Sequence, residues 1–71
     1  MKAHYAGSIA YDNSRDEWED ELVIAFSFDG FVEDMKAVMD KRKNSEVFFA
    51  CYKNQPGKER DITQQVREEL G

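Results

Sequence analysis

Seventy-one residues with 15 acidic and 10 basic side chains, a net charge of −5 and a single cysteine make one small domain, residues 1–71, of a size that buries only about 60% of its unfolded surface. A disulfide staple is excluded, and Cys51, inside the apolar run "VFFACY", reads as a small buried hydrophobe of a reducing compartment. The acidic balance argues against direct nucleic-acid binding, which needs clustered Lys and Arg, while the lack of an ~18-residue apolar run or a signal-peptide core argues against a membrane and for a cytoplasmic location.

From Ala3 to Tyr11 the residues alternate, with Tyr5, Ile9 and Tyr11 on one side and His4, Ala6, Ser8 and Ala10 on the other. That is the period of a half-buried strand, with Gly7 placed to form a bulge. The segment "DNSRDEWEDE" follows at residues 12–21. It holds Asp12, Asp16, Glu17, Glu19, Asp20 and Glu21 against Arg15 alone, a local charge equal to that of the whole chain. In the next stretch, "WEDELVIAFSF", Leu22, Ile24, Phe26 and Phe28 share a face with Val23 and Ala25 behind them, which predicts a second strand with the larger set turned to the core. Asp12 and Asn13 break the first run, so the two strands read as an antiparallel hairpin with the acids at its tip.

At "FDGFVEDMKAVMDKRKN" the apolar period lengthens, since Phe31, Met35, Val38 and Met39 recur at helical spacing. Asp29 is the expected cap. Glu33 and Asp34 stand near the positive end of the helix dipole and Lys41, Arg42 and Lys43 near the negative end, with Asn44 or Ser45 as the stop. "EVFFACY" is a third strand, and "KNQPG" a turn in which Pro56 and Gly57 suit the central positions. The tail "KERDITQQVREELG" reads as a short strand over Arg60 to Ile62 followed by a helix from Thr63. Its alternative is a helix alone, capped by Asp61 and Gln64, with Ile62, Val66 and Leu70 as its stripe. Either way the chain is α+β, a small antiparallel sheet packed on one main amphipathic helix in the order β-β-α-β, then short β and/or α.

Chemistry finds little to work with. The lone histidine, His4, has no partner assignable from sequence, and one histidine with one cysteine does not make a zinc site. The glycines at 7, 30, 57 and 71 are scattered, so no phosphate-cradling loop exists. A calcium loop framed on Asp12 meets Ser14 and Asp16 but then Glu17 where glycine is needed and Val23 where the bidentate carboxylate belongs. The expectation is a protein without enzymatic activity, metal or cofactor.

Binding is the remaining class. A sheet covered by one helix leaves a second face, here carrying Val23, Ala25, Ala6 and Ala10 with one of two sets from the third strand, Val47, Phe49 and Cys51 or Phe48, Ala50 and Tyr52. The C-terminal stripe is the expected cover; a second copy or another protein is the alternative. Trp18 is read as the outermost layer of the core, with an interface anchor as its second reading. The leading function is a regulatory or inhibitory module that binds a basic surface of another protein through Asp12, Asp16, Glu17, Trp18, Glu19, Asp20 and Glu21. The alternatives are a structural homodimer sharing its sheet face and a short nucleic-acid mimic that blocks a DNA- or RNA-binding protein.

Overall fold

The chain runs β1 (His4–Asp12), β2 (Trp18–Ala25), α1 (Phe28–Lys41), β3 (Glu46–Gln55), β4 (Lys58–Asp61) and α2 (Thr63–Leu70). The computed structural model describes residues 2–13, 15, 17–42 and 44–71. The expected α+β class holds. All strand pairs are antiparallel in the order β2-β1-β3-β4, so β1 is central and β2 and β4 are edges.

The first hairpin decides how the sheet faces. Asn13 Oδ1 accepts from the amides of Arg15 (2.8 Å) and Glu17 (3.2 Å), and the Asn13 amide donates to the Glu17 carbonyl at 2.9 Å. This side chain stands in for backbone turn partners and fixes the pairing of Asp12 with Trp18. With that pairing, odd residues of β1 sit opposite odd residues of β2: Tyr5 on Ala25, Gly7 on Val23, Ile9 on Glu21. Because Tyr5 and Ile9 turn to the core, so do Val23 and Ala25. The expectation for β2 is therefore reversed, and Leu22, Ile24 and Phe26 are 63%, 53% and 64% exposed while Val23 is buried. Phe28 opens α1 instead of extending the strand, and its ring meets Tyr5 edge-on at 5.8 Å. A one-residue change in loop length would turn β2 over.

Helix α1 begins where Ser27, not Asp29, can cap it. The Ser27 hydroxyl accepts from the Gly30 amide at 3.1 Å, leaving Asp29 in the first turn as a charge at the positive dipole end. Its stop also comes earlier than Asn44 or Ser45. Arg42 is already extended at φ −114° and ψ 139°, its amide closing on Val38, and Asn44 at φ 52° turns the chain back toward β3. Lys43, like Ser14 and Asp16, lies outside the described residues. The predicted stripe is core: Phe31 and Met35 are fully buried, Val38 is nearly so, and Met39 packs against the same cluster.

Strand β3 does not hold one alternation. Ser8 pairs with Phe49 but Ile9 with Val47, so Phe48 is an extra residue at a bulge. Val47 and Ala50 consequently both face α1, while Phe49 and Cys51 face away. Each of the two sets considered from sequence is split by this bulge. The strand runs on to Gln55, so Lys53 and Asn54 belong to it and the turn is Pro56 and Gly57, the latter at φ 74°. The tail forms a short strand followed by a helix, but the strand is Lys58–Asp61 and not Arg60 to Ile62, Ile62 standing between it and α2. The Ile62 amide donates to the Ala50 carbonyl at 2.9 Å, and Thr63 lies inside α2 with its hydroxyl accepting from the Ala50 amide.

Those two bonds place α2. Ala50 faces α1, so the chain leaving β4 beside it is delivered to the same side. Ile62 and Val66 join Phe31, Met35, Val38, Val47, Ile9 and Val23 in one buried cluster, with Leu70 packed against it. The C-terminal stripe is thus a second part of the first core and does not cover the other face of the sheet, contrary to expectation. No helix is long and apolar enough to cross a membrane among the described residues.

Candidate functional site

With both helices on one side, the opposite face of the sheet is bare. Its layers follow from the pairings. Asp20, Ala10 and Glu46 lie side by side, then Leu22, Ser8 and Phe49, then Ile24, Ala6, Cys51 and Asp61, and finally His4, Lys53 and Glu59. Trp18 extends the β2 side of this face beyond Asp20, and Phe26 extends it at the other end. Phe48 stands at the rim, its ring edge-on to Phe49 with centroids 6.0 Å apart. The central strand contributes small residues and its neighbours large ones. The result is a shallow apolar trough floored by Ala6, Ser8 and Ala10 and walled by Leu22 and Ile24 on one side and Phe49 on the other.

This face holds all six of the large exposed hydrophobic residues among the described residues, with Trp18 63%, Phe48 62% and Phe49 40% exposed besides the three of β2. Trp18 is therefore not the outermost layer of the core. Its parity, shared with Leu22 and Ile24, was legible in the sequence; the side to which that parity points was not. Ser8 is the one buried polar residue of the molecule among the described residues, and its Oγ, closed in between Leu22 and Phe49, has no hydrogen-bond partner.

The acidic run is divided by the same alternation. Glu19 and Glu21 turn to the helix side, where Glu19 accepts from the Tyr11 hydroxyl at 3.2 Å and Glu21 from Arg42 at 3.1 Å, with Lys41 Nζ at 3.7 Å. Arg42 also lies over the Tyr11 ring at 4.4 Å, so the end of α1, the β1 and β2 strands and the basic pair form one polar corner. Burial, then the bond to Glu19, push the Tyr11 phenol above its ordinary pKa. Asp20 and Trp18 go to the open face instead. Glu17 and Asp20 are exposed and make no ion pair among the described residues, and Asp12 is half-buried with one carboxylate oxygen unpartnered. Asp16 falls outside the described residues. Of the seven expected contact residues, then, two are committed to internal pairs, and Glu17, Trp18 and Asp20 are open.

Groups with chemical potential on this face are held in structural bonds. The Cys51 thiol donates to the Ala6 carbonyl at 3.4 Å, and burial pushes its pKa up, which leaves it a weak nucleophile. His4, one layer away, donates through Nδ1 to the Lys2 carbonyl at 3.0 Å. Asp61 at the β4 edge accepts from the Thr63 hydroxyl at 2.6 Å and its amide at 2.9 Å, and these two bonds hold its carboxyl below the ordinary range. No three of the His, Cys, Asp and Glu side chains described come together as a metal site. Sequence reasoning missed Leu22, Ile24 and Phe26 as contact residues by turning them to the core, and it left Phe48 and Phe49 as alternatives on the second face. The signal that could have found Leu22, Ile24 and Phe26 was the length of the loop between β1 and β2 combined with the facing of Tyr5 and Ile9.

Compared with known proteins, the chain matches no family model, no curated protein and no solved structure.

Proposed function

We propose that this chain is a non-catalytic protein-binding module whose contact surface is the open face of its sheet, with Asp20 and Trp18 of the acidic hairpin forming one rim. The observation that carries this reading is the concentration of the six large exposed hydrophobic residues found among the described residues on the one side that neither helix covers. Exposed apolar patches beyond a few hundred Å² are interaction surfaces far more often than solvated ones, and Trp and Phe are enriched where interfaces bury their centres. The expected docking through the acidic hairpin alone has less support, because Glu21 is paired with Lys41 and Arg42 and Glu19 is bonded to the Tyr11 hydroxyl within the domain. Nucleic-acid mimicry has less support for the same reason: the division of the acids between two faces breaks any continuous line of carboxylates.

The test pairs an apolar dye with sedimentation, on the wild-type chain and on a Leu22→Thr/Phe49→Thr variant that keeps β-propensity while removing apolar surface. The wild-type protein is expected to bind the dye as a monomer or to associate, and the folded double variant to do neither. A wild-type monomer that binds no dye would show that the face is closed in solution and end this reading.

A further inference from the structure

We infer that the occupant of the open face is a second copy of this chain, packed sheet on sheet about a two-fold axis that lies across the strands. The inference rests on the contact surface proposed above and adds its partner and geometry. Area is the first argument. The six side chains are 40–64% exposed, and at on the order of 200 Å² each they offer roughly 700 Å² per copy, close to the ~800 Å² per partner of a standard stable interface.

Charge complementarity is the second, and it selects the arrangement. One end of the face is acidic, with Asp20 and Glu46 flanking Ala10 in a single layer. The other end carries the positive charges, Lys53 opposite His4 and Lys2 with its ammonium 4.5 Å from the centre of the Phe26 ring. Lys53 is shared with Glu59 at 3.4 Å and Asp61 stands one layer in, so this end is close to neutral overall while the other is acidic, and an arrangement that keeps the acidic ends apart is favoured. An isologous pair brings the same patch of each copy together. If the axis ran along the strands, the acidic ends would meet and four carboxylates would crowd one rim. With the axis across the strands, each β2 lies over its counterpart in the opposite direction, Glu46 comes over Lys53 of the other copy, and Asp20 approaches Lys2. The apolar middle, Leu22, Ile24 and Phe49, is then sealed between two sheets ~10 Å apart, as in an aligned sandwich. This arrangement also brings Trp18 from the rim of one copy against the Lys2 end of the other.

The experiment is sedimentation equilibrium of the wild-type chain from nanomolar to high micromolar concentration, with Trp18 emission followed over the same range. A monomer–dimer equilibrium with a blue shift of Trp18 on association is expected. Glu46→Lys should weaken dimerisation roughly tenfold, because the change is made twice by symmetry and sets lysine against lysine. Glu46→Lys combined with Lys53→Glu should restore most of the loss. A monomer at every concentration would overturn self-association while leaving the apolar contact surface, read by dye binding, in place for another protein. A dimer strengthened by Glu46→Lys would overturn the geometry in favour of the axis along the strands, and a dimer indifferent to it would place the interface elsewhere.

Discussion

Gly7→Ala isolates the most crowded point in the domain. Gly7 sits in the middle of the central strand on the helix side, and a methyl group built there would stand 2.5 Å from the Phe49 carbonyl oxygen, 3.0 Å from Phe31 Cζ and 3.1 Å from Ala50 Cα. Two of these three neighbours are backbone atoms of β3, so no rotamer change relieves them. The closest contact falls short of van der Waals separation by almost an ångström, and Phe31, fully buried, has no space into which to retreat. Overpacking of this kind costs ~1–3 kcal/mol, and displacement of the backbone puts the expectation at the upper end, about 2–3 kcal/mol. Conformational entropy pulls the other way, since alanine is favoured over glycine in a strand interior by ~0.5–1 kcal/mol. The steric term wins. For a domain of this size 1 kcal/mol shifts Tm by about 4–8 °C, so a loss on the order of 10–20 °C is expected, a large part of the total for a chain whose whole stability is of order 5 kcal/mol. Thermal and urea unfolding followed by circular dichroism read the change. An unaltered or raised midpoint would mean that β1 and β3 do not approach this closely, and the bulge at Phe48 would have to be redrawn with them.

Met35→Ala removes a fully buried side chain from beneath α1 and should cost about 2–5 kcal/mol in the same unfolding assay; a change below 1 kcal/mol would place α1 off the sheet. Ser8→Ala deletes a buried hydroxyl without a partner, so stability should hold or rise by up to about 1 kcal/mol. A clear loss would show that the Ser8 hydroxyl is bonded in solution. Asp61 has a folded pKa below its unfolded value, so its contribution is fully present above the unfolded pKa of ~3.9 and is lost as pH falls through the folded one. Asp61→Asn should therefore melt below wild type at neutral pH, with the gap closing on acidification below about pH 4; a gap constant from pH 2 to 7 would sever the Asp61 carboxylate from the Thr63 bonds.

Helix α1, the strand runs and the α+β order were legible because each rests on local periodicity that nothing distant could override. The stripe of Phe31, Met35 and Val38 is set by helical spacing alone. What the sequence hid were choices of sign. The alternation in "WEDELVIAFSF" is unambiguous, yet which half faces the core depends on whether the preceding loop pairs odd residues with odd or with even, and Asn13 makes that choice through bonds to Arg15 and Glu17. Phe48 is a second case, since one inserted residue moves Val47 and Ala50 to the same side and no composition cue marks it. The third is α2, whose side follows from the bond of Ile62 to Ala50 across 12 residues of chain and a turn.

The size of the side chains on β2 gives the contact face its weight. On the helix side the strand presents Val23 and Ala25, on the open side Leu22, Ile24 and then Phe26. An antiparallel sheet with one face in water shows the reverse, with the larger apolar residues inward and polar ones outward. A strand whose apolar volume is greater outside than inside suits the second layer proposed above, and β1 fits the same proposal, offering Ala6, Ser8 and Ala10 in the middle of the face and His4 only at its end. The acidic hairpin obeys the same division. Glu19 and Glu21, on the parity of Val23, tie the β1-β2 end to the last turn of α1 through Tyr11, Lys41 and Arg42. Asp20 and Trp18, on the parity of Leu22, border the surface that the helices leave open. The charge concentrated in residues 12–21 thus has two physical roles on two faces. The half that touches the basic end of α1 contributes modestly to folding, and in the proposed assembly the exposed half would repel a like-charged end and steer the face toward a complementary one.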